Sequence, residues 1–439
     1  MKVALLGGSN SVKRFGLSSG LKENPDIQLY NFALGGCSCL QNLDAIIANY
    51  ESISQMDVII SESNINDFYN VNTQVVPFEL MQKNIAKYYL LLSQLNVRVI
   101  SILLPINMHL ITENAYQLFS EVIYEHLFHI KNHGFEYVNI ENYVSTYLSE
   151  NKSINFKNPH HLLVPDGFHT KSLFMHQVGL NLYAYLLENI CSTDIVHNTK
   201  VQVDYVKLKA EHFNDVSIAD KENTFFKERT MLVNKKIFFP KQYIGYKIIG
   251  VSTWGEGGLN ITNTSKSIIK NFNDLYSFNE ILEDFLIDNK TYMIHSGELI
   301  TEKSMNTSST KSNKNPSVVG FLLECSKNDG ILISTDQSFS KIKYFQRKCY
   351  EFSKRLRKND EENNLNFLLP SLEIYLYDSN EFTARISEED IDALRDAAIL
   401  LENIDLKKAY RLMSIAYYNR PSGLHIRNKV LEYKAKLNI

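Results

Sequence analysis

Cysteine, proline and glycine are all in short supply in this chain. Its 439 residues hold five cysteines, Cys37, Cys39, Cys191, Cys325 and Cys349, an odd and thinly spread set that makes no disulfide framework. With only 9 Pro and 18 Gly, collagenous and Pro/Gly-rich low-complexity architectures are excluded too. An excess of one charge is missing as well: 46 Lys+Arg stand against 49 Asp+Glu, a formal charge of -3, which makes nucleic acid and anionic membranes poor default partners. No run approaches the roughly 18 uninterrupted apolar residues of a membrane span. The apolar start Val3-Ala4-Leu5-Leu6 is shorter than the about 7 to 15 residues of a secretory core, and reads instead as a buried first strand. Free thiols without an export signal predict a cytoplasmic protein.

What is present is an ordinary globular composition, 44% hydrophobic and 22% charged, which excludes disorder throughout. At about 150 residues per domain the length predicts two or three units. Over residues 1–193, short β-rich runs alternate with helix-period segments, the pattern of parallel βαβ units in an open α/β sheet. Strands are predicted at Val3 to Leu6, Ile27 to Ala33, Asp57 to Glu62, Val97 to Leu104 and Glu136 to Ile140. Helices are predicted around Val12 to Glu23, Phe78 to Asn96, Asn114 to His133 and Lys171 to Asn189. In such a sheet ligands sit beyond the carboxyl ends of the strands, so chemistry is expected in the loops just after them.

Residues 194–386 change in texture. Lys235 to Phe239, Tyr243 to Val251, Val318 to Leu323 and Gly330 to Ser334 read as strands of a smaller β-containing α+β region. The polar stretch Thr301 to Ser317 predicts a mobile loop, and basic Lys341 to Lys358 a solvated helix face. Residues 387–439 form a helical tail. Ser387 opens a capping-box-like turn, Asp405 caps a second helix from Leu406 to Tyr418, and a third runs on to Leu437. The small residues Ala397, Ala398, Ala409 and Ala416 fall where helices would approach closely, and the segment resembles a tetratricopeptide-type hairpin. One or one and a half units are too few for a free-standing solenoid, so the tail is expected to dock on the rest of the chain or to offer a partner surface.

Four short blocks fall at predicted strand ends. Gly7-Gly8-Ser9 follows the first strand and enters a helix, placing a serine hydroxyl above the sheet edge and its N–H near the positive helix end. Neither phosphate-loop motif, G-x-G-x-x-G nor G-x-x-x-x-G-K-[ST], is present there. Asn31 to Ser38, with Gly35 and Gly36, follows the second strand, where the glycines make a tight turn or let backbone approach a ligand. Ser61-Glu62-Ser63-Asn64-Ile65-Asn66-Asp67 follows the third; an Asn-Asp pair there is a common turn former, but its amide also suits a developing oxyanion. Pro165-Asp166-Gly167-Phe168-His169 precedes the last helix. An Asp three residues before a His is usually a satisfied surface pair, and equally the spacing at which a carboxylate can orient an imidazole.

In this order and at these positions the blocks resemble the SGNH/GDSL hydrolase superfamily, over about Met1 to Ile190. The resemblance implies a flavodoxin-like parallel sheet of the SGNH hydrolase type. It implies Ser9 as nucleophile, His169 as general base oriented by Asp166, and the Ser9 N–H, Gly36 or its neighbour Gly35, and Asn66 as oxyanion-hole donors. Three positions depart from the family pattern: Gly8 replaces Asp, Asn10 replaces Leu, and Asn64 replaces Gly. None removes a group that handles a proton, and Asn64 is expected to stand in through its tolerance of left-handed backbone. Ser11 is a rival nucleophile outside the family position.

The implied activity is serine esterase or O-acyltransferase chemistry through an acyl-enzyme. Carbohydrate O-acetyl groups are the expected substrates, within bacterial surface-polysaccharide metabolism. Ester hydrolysis needs no cofactor and no metal; a transferase would draw on acetyl-CoA. The competing expectation is an inactive scaffold using the helical tail as its partner surface. Other candidates carry less. His160-His161 lack further ligands at suitable spacing, and Cys37 and Cys39 form C-x-C with no second pair. His126, His129 and His133, on one helix, predict a packing or solvated face, and Trp254 an anchor packed on its own domain rather than a sugar platform.

Overall fold

The computed structural model describes residues 1–13, 15–23, 25–107, 110–150, 163–189, 204–273, 276–325, 363–369, 388–420 and 423–437. The His160-His161 pair, the 330–334 strand, the 341–358 segment, Ser387, Cys191, Cys349 and both expected junctions, at 193/194 and 386/387, lie outside them. The chain divides into two compact units, Met1–Pro370 and Ser371–Ile439.

The first unit opens with a five-stranded parallel sheet of β1 (Lys2–Leu6), β2 (Gln28–Asn31), β3 (Val58–Ser61), β4 (Arg98–Leu103) and β5 (Glu136–Asn139), in the order β2-β1-β3-β4-β5. This is the flavodoxin-type doubly wound order, whose direction of winding reverses between β1 and β3. Parallel strands covered on both faces need near-continuous apolar runs, and Val3 to Leu6, Val58 to Ile60 and Val99, Ile100, Ile102 and Leu103 supply them, all buried. The helices are α1 (Ser9–Val12), α2 (Leu17–Lys22), α3 (Cys39–Ala48), α4 (Tyr50–Ile53), α5 (Asn64–Asn72), α6 (Phe78–Gln94), α7 (Glu113–Asn132), α8 (Ile140–Glu150) and α9 (Ser172–Glu188). Thr112 caps α7, accepting from the Ala115 N–H.

The predicted strands and the helices α6, α7 and α9 match their segments closely; the helix predicted over Val12 to Glu23 is shortened to α2, and α3, α4, α5 and α8 had no predicted counterpart. Polar residues hid two of them. In α3, Gln41, Asn42 and Asp44 are buried, and in α5 Asn64, Asn66, Asp67 and Asn70 are, so neither helix shows a clean polar face. The free edge of β5 is covered by residues 363–369, which return to it: the Tyr137 N–H donates to the Asn363 carbonyl, and the Leu365 N–H to that of Tyr137.

The rest of the unit is antiparallel, consistent with the expected β-containing region. One sheet joins β13 (Tyr276–Leu286), β10 (Tyr246–Trp254), β15 (Ser317–Cys325), β8 (Lys227–Leu232) and β7 (Ile218–Glu222), with β6 (Tyr205–Lys209) also paired to β15. A second joins β12 (Ser267–Phe272), β11 (Gly257–Thr262), β14 (Tyr292–His295) and β9 (Ile237–Phe238). Their shared core contains Leu208, Ile248, Val251, Phe272, Phe285, Met293 and Phe321. Trp254 stacks on Tyr276 at 5.2 Å between centroids, an anchor within its own region. The 301–317 stretch is irregular, but the expectation of a mobile loop misread it. Glu302, Ser304 and Ser312 are buried, and Glu302 accepts from the Leu282 and Glu283 N–H groups of β13 at 2.9 Å each.

Polar contacts join the two regions. Lys207 of β6 donates to Asp44 of α3 at 2.6 Å and 2.8 Å and to Ser252 Oγ at 2.7 Å, with both charges almost fully buried. Ser38 donates to Glu280 of β13. The second unit contains α10 (Glu388–Leu401), α11 (Leu406–Asn419) and α12 (Leu424–Leu437), packed around Ile391, Ala398, Ala409, Met413, Ala416, Ile426, Val430 and Tyr433. Asp405 caps α11, accepting from the Lys408 N–H. No helix among the described residues is long and apolar enough to cross a membrane.

Candidate active site

The winding reversal between β1 and β3 opens a crevice at their carboxyl ends, where an α/β sheet of this order takes its ligands. Chain leaving β1 makes the Gly7-Gly8 turn, and Ser9 begins α1. As a first helical residue, its N–H has no acceptor within the helix. Chain leaving β2 runs alongside, with the Leu34 N–H donating to the Gly7 carbonyl at 2.9 Å, and this brings Gly35 to Ser9. A Cβ added at Gly35 would lie 3.9 Å from that of Ser9. Asn66 lies in the first turn of α5 rather than in a loop. It reaches so far over the turn that a Cβ on Gly8 would fall 2.0 Å from its Nδ2. Any larger residue at position 8, Asp included, would have to displace Asn66.

His169 and Asp166 come from the loop before α9. Ser9 Oγ lies 2.8 Å from His169 Nε2, and His169 Nδ1 lies 2.7 Å from Asp166 Oδ2. The other Asp166 oxygen accepts from the His169 N–H at 2.8 Å and the Phe168 N–H at 3.2 Å, so one carboxylate orients both ring and loop. Partial burial works to raise the Asp166 carboxyl, but these hydrogen bonds outweigh it and hold the group below its usual range. Ser9, His169 and Asp166 thus form an unbroken chain of side-chain contacts, open to solvent: the His169 side chain is 34% exposed and that of Asp166 54%.

No family model matches the chain, and no curated protein matches it. Solved structures similar to it include the acetyl xylan esterase AlAXEase, at 13% identity over 42% of this chain and 100% of that one, with a TM-score of 0.36. A lipase/acylhydrolase from Enterococcus faecalis matches at 13% identity over 43% of this chain and 96% of that one, with a TM-score of 0.34. A catalytic mutant of an acetylxylan esterase from Geobacillus stearothermophilus matches at 14% identity over 45% and 97%, with a TM-score of 0.32.

Two residues that sequence reasoning left without a role hold the site. Glu62, just past β3 and only 2% exposed, accepts through Oε1 from the Gly8 N–H at 2.8 Å, the Ser11 N–H at 3.2 Å and the Ser11 hydroxyl at 3.0 Å. Burial pushes its carboxyl up to about 7 against the pull of those hydrogen bonds. Asn10 spans His169: its Nδ2 donates to the Phe168 carbonyl at 3.2 Å, and its Oδ1 accepts from the Thr170 N–H at 3.0 Å. A lone carboxylate at the end of the apolar Val58 to Ile60 run was the signal for Glu62. Nothing local distinguished Asn10.

The remaining candidates separate clearly. Ser11 is buried and donates to Glu62, which makes it a brace of the turn. Asn64 does not stand in for glycine through left-handed backbone. The described non-glycine residues with positive φ are Gln74, Asn96 and Asp215. Instead its buried amide pairs with both backbone groups of Leu104, at 2.9 and 3.0 Å. Cys37 and Cys39 are buried free thiols; burial pushes Cys37 up to about 12 and Cys39 well above its usual value, leaving both in the unreactive thiol form. His126 packs inside, 3.0 Å from the Tyr89 hydroxyl and 3.2 Å from Asp67, a carboxylate brought by α5 that the helix pattern did not reveal. His129 and His133 stack with Tyr89 and Phe135. No group of three or more His, Cys, Asp or Glu able to hold a metal occurs among the described residues.

Proposed function

We propose that this protein is a serine-dependent acyl-ester enzyme of SGNH type, with Ser9 as nucleophile, His169 as general base and acid, and Asp166 as its orienting carboxylate. The observation that carries this reading is the Ser9–His169–Asp166 chain of contacts, 2.8 Å and 2.7 Å, beside the Gly35–Gly36 turn and the Asn66 amide. His169 Nε2 takes the hydroxyl proton as Ser9 Oγ attacks the ester carbonyl, and Asp166 stabilises the resulting imidazolium. Negative charge gathers on the former carbonyl oxygen, facing the Ser9 and Gly36 N–H groups and the Asn66 Nδ2. Collapse passes the His169 proton to the departing alkoxide and leaves an acyl ester on Ser9. The same histidine then deprotonates the incoming hydroxyl, of water in an esterase or of a sugar in a transferase.

The proposed substrate is a carbohydrate O-acetyl group, within bacterial surface-polysaccharide metabolism. The resemblance suggests this class, and the solvent-exposed His169 and Asp166 suit a hydrophilic substrate that approaches from water. Acetyl-CoA is the proposed donor for the transferase variant. The test is intact-mass detection of an acetyl adduct after incubation with p-nitrophenyl acetate or acetyl-CoA. Wild type acquires the adduct and Ser9→Ala does not. Acetyl-CoA consumption that depends on an added polysaccharide selects transferase over esterase. A folded wild type with neither turnover nor adduct leaves the scaffold reading standing.

A further inference from the structure

The second region of the first unit reaches into the proposed oxyanion hole. Asn306, in the irregular 301–317 stretch, donates from Nδ2 to the Gly36 carbonyl at 2.9 Å and to the Phe278 carbonyl of β13 at 3.3 Å. The contact is tight: Gly36 has φ +67°, and a Cβ built on it would lie 2.9 Å from Asn306 Oδ1. Asn306 is itself held from below. The Ser304 hydroxyl donates to Asn279, the Ser304 and Thr307 backbones close a turn around it, and the Ser308 N–H donates to the Asn271 carbonyl at 2.7 Å. Glu302 is paired with buried Lys270 at 2.8 Å.

Every carbonyl of the Gly35-Gly36-Cys37 turn is thereby engaged. The Gly35 carbonyl accepts from the Cys37 thiol at 3.4 Å, that of Gly36 from Asn306, and that of Cys37 from Asn66 at 2.8 Å. In a trans peptide the carbonyl of one residue and the N–H of the next point in opposite directions. With the Gly35 carbonyl turned toward the buried Cys37 thiol, the Gly36 N–H points away from that thiol. We infer that Asn306 is a positioning residue for the acyl-transfer step: it locks the Gly35–Gly36 turn in the orientation that aims the Gly36 N–H at the oxyanion formed on Ser9. The β-rich region is then a working part of the active site. This rests on the serine acyl-ester reading above.

The full chain, its Asn306→Ala and Asn306→Asp forms, and Ser309→Ala as an exposed control on the same stretch are assayed with p-nitrophenyl acetate. Asp is the size of Asn and, when ionised, has no N–H to donate. Removing an oxyanion donor outright costs about 10²- to 10³-fold, so misaiming one is expected to lower kcat by about 10- to 100-fold. Ground-state binding is spared, and KM is expected to stay within about threefold. Phenylboronic acid, which forms a tetrahedral adduct on an active serine, should lose affinity by the same factor as kcat, a change that loosened packing alone would not match. Both variants within twofold of wild type in kcat, or losses that only track the unfolded fraction, overturn the assignment of Asn306 while the serine enzyme stands. A folded wild type that neither turns over nor acquires an adduct on Ser9 overturns the serine reading and this inference with it.

Discussion

Glu62→Gln tests whether the turn carrying Ser9 is braced by a carboxylate with a strongly raised pKa. Glu62 is fully buried, with Oε2 lacking a hydrogen-bond partner among the described residues, and burial moves its carboxyl from the ordinary 4.5 to about 7. Between those values the unfolded chain has released the proton while the folded chain still holds it. The folded state therefore binds more protons, and stability falls as pH rises through the window. Each tenfold gain in proton affinity on folding corresponds to about 1.4 kcal/mol, so the full effect is about 3 kcal/mol, of which about 2 to 3 kcal/mol is lost between pH 5 and pH 8. Gln keeps one acceptor for the Gly8 and Ser11 donors and does not titrate. Urea unfolding of both proteins at the two pH values, followed by Trp254, the only tryptophan and a residue of the first unit, gives the comparison. The variant should gain about 2 to 3 kcal/mol relative to wild type on going from pH 5 to pH 8. A difference that stays constant within about 0.5 kcal/mol would refute the buried-carboxylate argument. Glu280, likewise buried and raised to about 7, should add a second decrement of the same sign, removed in Glu280→Gln.

Three further outcomes are expected. His169→Ala should abolish ester turnover while leaving the thermal midpoint within about 2 °C of wild type, since the ring is a third exposed and makes only two side-chain hydrogen bonds among the described residues, to Ser9 and Asp166; a large loss of stability would mark a structural histidine. Asn10→Ala removes both hydrogen bonds that bracket His169, and kcat should fall about 10- to 100-fold with the pH profile of kcat/KM changed; an unchanged profile and rate would show that the Asp166 contacts suffice to hold the loop. Lys207→Met leaves Asp44 buried without its partner and should cost about 3 to 5 kcal/mol in urea unfolding. A cost below about 1 kcal/mol would mean that the two regions do not depend on that pair for their packing.

The parallel sheet was legible because it is written in local, periodic chemistry. Apolar runs such as Val58 to Ile60 suit only strands covered on both faces, and the polar segments after them mark loops. Two of the helices that escaped notice, α3 and α5, bury polar side chains among their apolar ones. Asn66, Asp67, Asn42 and Asp44 find partners in distant segments, so their burial leaves no apolar stripe to read. The stretch 301–317 was misread for the same reason: its polar composition suits water equally well, and only β13 and the Gly36 turn make it an ordered connection.

Ser9, His169 and Asp166 could be named as candidates from the sequence because the order of their blocks, at a strand end and just before a helix, carries the resemblance, and the Asp166–His169 pair closes over three residues. Their assembly could not be read there, since Ser9 and His169 are 160 positions apart. The hydrogen bonds that hold their two loops pass through Asn10 and Glu62, residues with no periodicity and no local partner. Composition and pattern determined the sheet and the order of the loops beyond its strands, and the resemblance named the candidate reactive groups on them. Tertiary structure decided which polar side chains hold those groups in register, because such a bond depends on distance in space between segments far apart in the chain.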